Sequence, residues 1–598
     1  RPPRLENLGD WFHEPRWVQQ GIVDAAAEPC RWLFFQGRDR VSETLVASLR
    51  SAGHTVVTVR DGDIFARVDE HTYTVAPEAG GEGFESLIDS LQEADLLPDR
   101  IVHGWLLTQD TAFRPGSSFF HRIQNHGFYA LFYLARALSK LTLESPVGLT
   151  ILANGSQSLN GEPAPYPNKA TAIGPAMVVP REMPAIRARY VDVDLPVAEP
   201  RGRRGADTAG ANGLADRLME ELLAEPGNGV VAWRGDVRYE RHVRRVPARR
   251  ADPAPAPLLR HGATYLVTGG FGGIAGVVTD WLAREYQANL VLLARTPLPA
   301  RDGWDTWLGE HGSEDSISRA ILRVRALEAA GASVLPVAAD VTVADQMRDA
   351  LAAARERFGS VDGVFHTAGV IRDSLIPLKT QREIEDVFSA KVYGTLVLDD
   401  LLAREPLDFL CLFSSTSAYV APQGQIDYVG ANSFLNAFAD ARRGGRYPVI
   451  ALNWGIWRDV GMVAPGTASV TDALDAVEAV SHELFRGHRR GRQGTLELHR
   501  LDGELSADHW LIDDHRLKNG DALLPGTGYI ELIRAALEEA GQPGPWRMTN
   551  LVFEQPLFVA DGATRRFSVS LQGNAGHWQA EVRAADEDGD VLCARAAV

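Results

Sequence analysis

Apolar and polar positions along the chain follow two rhythms. From residue 1 to about 245, short apolar runs suited to buried strands (Trp32–Phe35, Thr55–Val59, Ile101–Leu107) alternate with runs of helical period (Val41–Ser51 and about Phe84–Glu93). Strands that alternate with helices pair in parallel, because the chain crosses the sheet between them, so a parallel α/β layer is expected here. The rhythm returns more sharply from Ala263. Strands are expected at Thr264–Thr268, Leu290–Leu293, Ser333–Val337, Gly363–His366, Phe409–Phe413 and Val449–Leu452. Helices are expected at Val277–Tyr286, about Ser318–Ala330, Val343–Phe358 and Tyr428–Ala441, which makes a doubly wound sheet. After about Asp472 the pattern changes to short strands around one helix, Gly528–Ala540. Arg566–Leu571 and His577–Arg583 alternate apolar and polar residues as half-buried antiparallel strands do, so an α+β domain is expected. The Pro/Ala stretch Asp252–Pro257 reads as a linker. A chain of 598 residues exceeds what one core supports, and the boundaries are expected at 1–257, 258–472 and 473–598.

Composition narrows the function. Apolar residues make up 45% and charged residues 23%, the balance of a globular protein. The formal net charge of −17 argues against nucleic acid as a main partner, since phosphate backbones need a basic face. The one dense basic run, Arg238 to Arg250, reads as a solvated connector and subdomain contact. Cys30, Cys411 and Cys593 lie far apart, so neither a disulfide framework nor a cysteine metal site is expected, and a reducing compartment fits. No apolar run reaches the about 18 residues of a membrane span, and the first residues lack the apolar core of a secretion signal. A soluble cytoplasmic protein without membrane contact is expected. Only five lysines occur (Lys140, Lys169, Lys379, Lys391, Lys518), so chemistry that needs a lysine has few candidates.

Candidate chemistry gathers in the second stretch. Thr268-Gly269-Gly270-Phe271-Gly272-Gly273-Ile274-Ala275 follows a strand and opens a helix. Glycines there allow a tight turn and the close approach of a pyrophosphate to the helix N-terminus. Arg295 stands at the end of the next strand, where sites for NAD place an acidic side chain; a cation suits the 2′-phosphate of NADP. The matching junction of the first stretch, Phe35-Gln36-Gly37-Arg38-Asp39-Arg40, has one glycine among bulky neighbours, so that half is expected to bind no cofactor. Carbonyl reduction by hydride needs a proton donor at the oxygen, a second donor to hold it and a cation to tune the first. Ser415 at a strand end and Tyr428 at a helix start, thirteen residues apart, can converge at the carboxyl edge of the sheet.

This pair behind such a glycine loop resembles the short-chain dehydrogenase/reductase superfamily. Most of that superfamily carries a lysine four residues after the tyrosine, where this chain has Asn432. The order Lys391, Ser415, Tyr428, Asn432 resembles the ketoreductase domains of polyketide synthases, in which lysine and asparagine are exchanged. His366-Thr367-Ala368-Gly369, Asp340-Val341, Asn453-Trp454-Gly455 and Gly461-Met462 match further motifs of that family. Asp10-Trp11-Phe12, Arg16-Trp17, Trp233-Arg234-Gly235 and Arg238-Tyr239 resemble the opening and close of its structural subdomain.

The resemblance implies two Rossmann-like doubly wound subdomains, the first structural and the second catalytic. It also implies NADPH as cofactor and a 3-ketoacyl thioester, held on the phosphopantetheine of an acyl carrier protein, as substrate. Tyr428 would give the proton, Ser415 would hydrogen-bond the oxygen, Lys391 would lower the tyrosine pKa and hold the ribose, and Asn432 would position a water or Lys391. Lys379 is the alternative lysine. The cofactor would lie along Gly269, Gly270, Phe271, Gly272, Gly273, Ile274, Arg295, Asp340, Val341, Thr367, Ala368 and Gly369, beside Tyr428 and Lys391, with no metal. Ketosynthase and acyltransferase domains would be further partners, and the resemblance leaves room for a homodimer. Ile371-Arg372-Asp373 keeps the last residue of the LDD triplet of B-type members, so the B-type hydroxyl configuration is expected.

In the third stretch His515, Gly520 and Leu524-Pro525-Gly526 resemble the HxxxGxxxxP motif of polyketide synthase dehydratases, whose fold is a hot dog and whose histidine takes the α-proton. Four residues rather than three separate His515 from Gly520, and the family's acid comes from a second half beyond residue 598. The expectation is a hot-dog-like part that does not dehydrate on its own. Two other readings stay open: a free-standing reductase of a small ketone, and a scaffold without activity.

Overall fold

The computed structural model describes residues 9–598 apart from 10, 23–27, 109–117, 144, 160, 196–203, 247–257, 313–314, 458–459, 461–477, 481, 494–495, 518–519, 543, 575–576 and 587–588. The expected linker Asp252–Pro257, the end of the basic run, Asp10, Gly461-Met462 and Lys518 lie outside the described residues. Tertiary contacts divide the chain into two units, Arg1–Ile456 and Trp457–Val598.

Two sheets build the first unit. The N-terminal one has ten strands, in the order His13–Gln19, Val237–Arg245, Gly229–Arg234, Ile186–Val193, Val147–Asn154, Arg100–Leu106, Arg31–Phe35, Thr55–Asp61, Thr72–Val75 and Ala66–Asp69. From Gly229–Arg234 to Thr72–Val75 every neighbouring pair is parallel, as the alternation with helices requires. Antiparallel pairs close both edges. The basic run is corrected in part: through Arg245 it is a strand rather than a solvated connector, with Arg238 buried against the Glu221 carboxylate, 2.7 Å away, while Arg241 makes the expected subdomain contact by donating to the Ala418 carbonyl at 3.4 Å. A buried arginine needs such a partner, so this part of the run is structural.

The second sheet has six parallel strands, in the order Ser333–Ala338, Asn289–Ala294, Thr264–Thr268, Gly363–His366, Phe409–Ser415 and Val449–Trp454. Winding reverses between Thr264–Thr268 and Gly363–His366. In open parallel sheets the ligand crevice lies outside the carboxyl ends of the strands at that point. The helix Ile426–Ala441 is buried on all sides over its first turns, with residues Ile426 to Leu435 all buried, Asp427 and Asn432 among them. It packs on its own sheet and also on the helix Ile173–Glu182 of the N-terminal layer, because glycines meet at the crossing. A Cβ on Gly174 would stand 2.3 Å from the Ile426 carbonyl oxygen, and one on Gly430 2.8 Å from that of Thr171. One apolar core runs through both layers.

The second unit is a seven-stranded antiparallel sheet with the helix Gly526–Glu539 packed on it through Tyr529, Leu532, Ile533 and Ala536. The helix begins two residues before the expected Gly528, with Pro525 at its cap. No helix among the described residues is long and apolar enough to cross a membrane.

Candidate active site

The glycine loop forms a cradle at the reversal point. Gly269 takes a left-handed φ of +65°, and a Cβ there would lie 3.0 Å from Ala368 Cα; one on Gly270 would lie 3.0 Å from Leu292 Cβ. Gly272 caps the helix Gly273–Tyr286 without a side chain, so the first amides of the helix face outward. Phe271 and Ile274 are half-buried against the core beneath the sheet. Arg295 follows the neighbouring strand, is exposed, and forms no ion pair among the described residues. Asp340 is less free: its carboxylate accepts the Thr342 amide at 2.9 Å and the Thr342 hydroxyl at 2.7 Å. Val341 is buried against Gly394, where a Cβ would come within 2.8 Å of Val341 Cγ1.

The N-terminal layer offers a contrast. At its corresponding junction Asp39 caps the helix Arg40–Ser51 and accepts the Ser42 amide at 2.8 Å and the Ser42 hydroxyl at 2.6 Å. A carboxylate of the chain itself fills the anion position at that helix start.

Lys391, Ser415, Tyr428 and Asn432 come together at the carboxyl edge of the second sheet. Lys391 lies in the π-turn Ser389–Tyr393, a distortion that re-aims a side chain. Its Nζ donates to the Phe413 carbonyl at 2.7 Å and stands 5.4 Å from the centre of the Tyr428 ring. Burial pulls its pKa down to about 7. Gly369 makes room for it, since a Cβ there would be 2.9 Å from Lys391 Cε. His366 steadies the turn: its Nε2 donates to the Ala390 carbonyl at 3.0 Å while Nδ1 accepts from Thr268 Oγ1 at 2.8 Å. Burial drives its pKa down to about 3, so it stays neutral. Thr367 Oγ1 donates to the Thr268 carbonyl at 2.6 Å and ties the turn to the glycine strand.

Tyr428 sits two residues into its helix and is almost buried. Burial raises its pKa, against the lowering effect of the Ser415 and Asn432 side chains. The phenol therefore holds its proton through neutral pH, the state a proton donor needs. The expected lowering by Lys391 is not among these effects. Ser415 Oγ accepts the Ser417 amide at 3.1 Å. Asn432 Nδ2 donates to the Tyr428 carbonyl at 2.7 Å, whereas its Oδ1 is buried without a partner. An orphaned acceptor one helical turn from Tyr428, and a cradle that side chains would fill, fit an ordered water and a dinucleotide.

Lys379 lies elsewhere in the same site. Its ammonium is 2.9 Å from the Asp427 carboxylate, both fully buried. Asp427, Gln425 and Glu182 were not among the expected site residues. Gln425 Nε2 donates to Asp373 at 3.0 Å. Glu182, from the N-terminal layer, accepts the Ile376 amide at 2.7 Å and the Gly424 amide at 2.8 Å. In the second unit His515 is exposed, and its backbone joins the turn through the Ile512 carbonyl at 3.0 Å and the Leu523 amide at 2.9 Å.

Residues 263–459 match the family model described as the KR domain, and residues 482–585 that of the polyketide synthase dehydratase domain. Residues 31–201 match a beta-ketoacyl synthase-like N-terminal family, which nothing in the residue pattern of that half signals. The chain resembles a stretch of a polyketide synthase. It is 33% identical over 337 residues to a phenolphthiocerol/phthiocerol polyketide synthase of Mycobacterium tuberculosis, which covers 55% of the chain and 17% of that protein. It is 26% identical over 414 residues to polyketide synthase PksM of Bacillus subtilis, 68% of the chain and 8% of that protein. The matched stretch is thus a small part of each of these relatives. Among solved structures, an N-terminal ketoreductase from the macrolactin assembly line superposes with a TM-score of 0.61 at 23% identity, over 74% of this chain and 83% of that one. The first ketoreductase of the tylosin polyketide synthase superposes at 0.55 and 24% identity, over 78% and 87%. At such identity the structures speak for the fold.

Proposed function

We propose that the first unit reduces the 3-keto group of an acyl thioester with NADPH, the thioester being carried by the phosphopantetheine of an acyl carrier domain. The observation that carries this reading is the convergence of Lys391, Ser415, Tyr428 and Asn432 beside the glycine cradle. Gly269 to Ile274 would hold the pyrophosphate, Arg295 the 2′-phosphate, and Lys391 the ribose. When bound, the cofactor supplies the hydride that the carbonyl carbon takes. Tyr428 then gives its phenolic proton to the carbonyl oxygen, and Ser415 Oγ hydrogen-bonds that oxygen as charge builds on it. Asn432 Oδ1 holds a water next to Lys391, through which the phenolate regains a proton. Asp373, fixed by Gln425 and near enough for its charge to act on Tyr428, would favour the B-type hydroxyl. The second unit belongs to dehydration of the hydroxy product in a complete domain, with His515 as base. Ketosynthase, acyltransferase and carrier domains are the partners. The test is NADPH consumption that requires a 3-ketoacyl thioester; a purified chain that oxidises no NADPH in its presence would refute the reading.

A further inference from the structure

We propose that the buried Lys379–Asp427 ion pair is a positioning device of the reductase site. It would hold the segment Ile371–Ser374 against the first turn of the Tyr428 helix and thereby fix the face that the keto group presents. The proposal rests on the reductase reading above and adds a determinant of product configuration.

Each residue of the pair is 1% exposed. Lys379 Nζ lies 2.9 Å from Asp427 Oδ2 and also donates to the Arg372 carbonyl at 2.5 Å. The other carboxylate oxygen of Asp427 accepts the Tyr428 amide at 2.8 Å. One ammonium thus joins the backbone at residue 372 to the carboxylate that holds the backbone of the proton donor. Two further bonds link the same segments: Gln425 Nε2 to Asp373 at 3.0 Å, and the Ser374 amide to the Gly424 carbonyl at 3.0 Å. Two residues before the segment Gly369 abuts Lys391, and within it the charge of Asp373 acts on the Tyr428 phenol. The segment therefore borders the reacting centre on one side while the ion pair fastens it on the other.

Folding alone does not call for this arrangement. Burying two charges costs desolvation that their attraction only roughly returns, and apolar side chains of like volume often serve stability as well. What an apolar pair lacks is direction: an ammonium that donates to a carboxylate and a carbonyl fixes both partners within hydrogen-bond tolerance. Neither side chain touches the reacting atoms, so both are positioning residues.

The test compares the wild-type chain with Lys379→Met, Asp427→Asn and the double variant. The probe is the N-acetylcysteamine thioester of 3-oxopentanoate with NADPH. Thermal midpoint, NADPH affinity, kcat, KM and the enantiomer ratio of the hydroxy product are measured. A displacement of about 1 Å at a reacting centre costs on the order of 100-fold, so Lys379→Met should lower kcat about 10- to 100-fold with NADPH affinity kept. Its product should be a mixture of configurations where the wild type gives one. The double variant, which leaves no unpaired charge, should regain the thermal midpoint but still give the mixture. A double variant that restores kcat and the single configuration would show a merely structural pair and overturn the proposal, as would single variants with wild-type kcat and configuration. Should Lys379→Met fail to fold, the double variant decides. A wild-type chain without thioester-dependent NADPH consumption would instead sink the reductase reading, and this proposal with it.

Discussion

Gly174 lies in the N-terminal layer, outside the glycine cradle, yet replacing it should cripple the reaction. An alanine Cβ at 174 would stand 2.3 Å from the Ile426 carbonyl oxygen and 2.9 Å from the Gly430 amide nitrogen, where ordinary contacts begin at 3.4 Å. Both obstacles are backbone, so no side chain can swing away. To restore contact distance the Tyr428 helix must withdraw by about 1 Å from its partner, and overpacking of this kind costs about 1–3 kcal/mol of stability. A shift of that size at a proton donor costs on the order of 100-fold in rate, or about 2.7 kcal/mol of activation free energy. Gly174→Ala should therefore lower both the thermal midpoint and kcat/KM for a 3-ketoacyl thioester, with NADPH affinity little changed because the atoms the new Cβ meets belong to the helix and not to the glycine loop. Gly309→Ala serves as control, since its Cβ meets nothing within 4 Å. Wild-type kcat/KM in Gly174→Ala would refute the claim that the first layer positions the helix.

Other outcomes follow from the site. Lys391, held at a pKa of about 7 by burial, is charged below that pH and neutral above it. Since kcat/KM titrates with the free protein, it should fall as pH rises through about 7; a flat profile to pH 9 would remove the lysine from the mechanism. Arg295→Asp should weaken NADPH relative to NADH by roughly 30- to 1,000-fold, about 2–4 kcal/mol for a lost charge-assisted contact plus repulsion, read from kcat/KM with each cofactor. Tyr428→Phe should keep NADPH binding and lose about 100-fold or more in turnover; an equal effect on binding would point to collapse of the helix.

The second parallel sheet was legible because most of its strands are buried and read as unbroken apolar runs. Gly363–His366 stands where expected, and the helix expected at Tyr428–Ala441 spans Ile426–Ala441. Ser415 and Tyr428 could be picked out because each stands at the end of a predicted element, and Lys391 because lysines are few and the family resemblance singles it out. The braces around them could not. Lys379 and Asp427 are 48 residues apart, and Glu182 is 194 and 242 residues from the amides it holds. Pairings at such separation leave no periodic trace in a single sequence. The strand Val237–Arg245 was missed for a different reason. Its arginines make it look solvated, its last four residues are indeed exposed, and the burial of Arg238 depends on Glu221, which is distant in sequence.

The central claim is that this chain transfers hydride to a 3-keto carbon with Tyr428 as proton donor. The measurement that tests it most directly is mass spectrometry of a 3-ketoacyl thioester after incubation with the chain and NADPH, beside the Tyr428→Phe variant. The expected product is heavier by two hydrogens, of one configuration, formed by the wild type and nearly absent with the variant. Unchanged thioester in both reactions, or equal product in both, would contradict it.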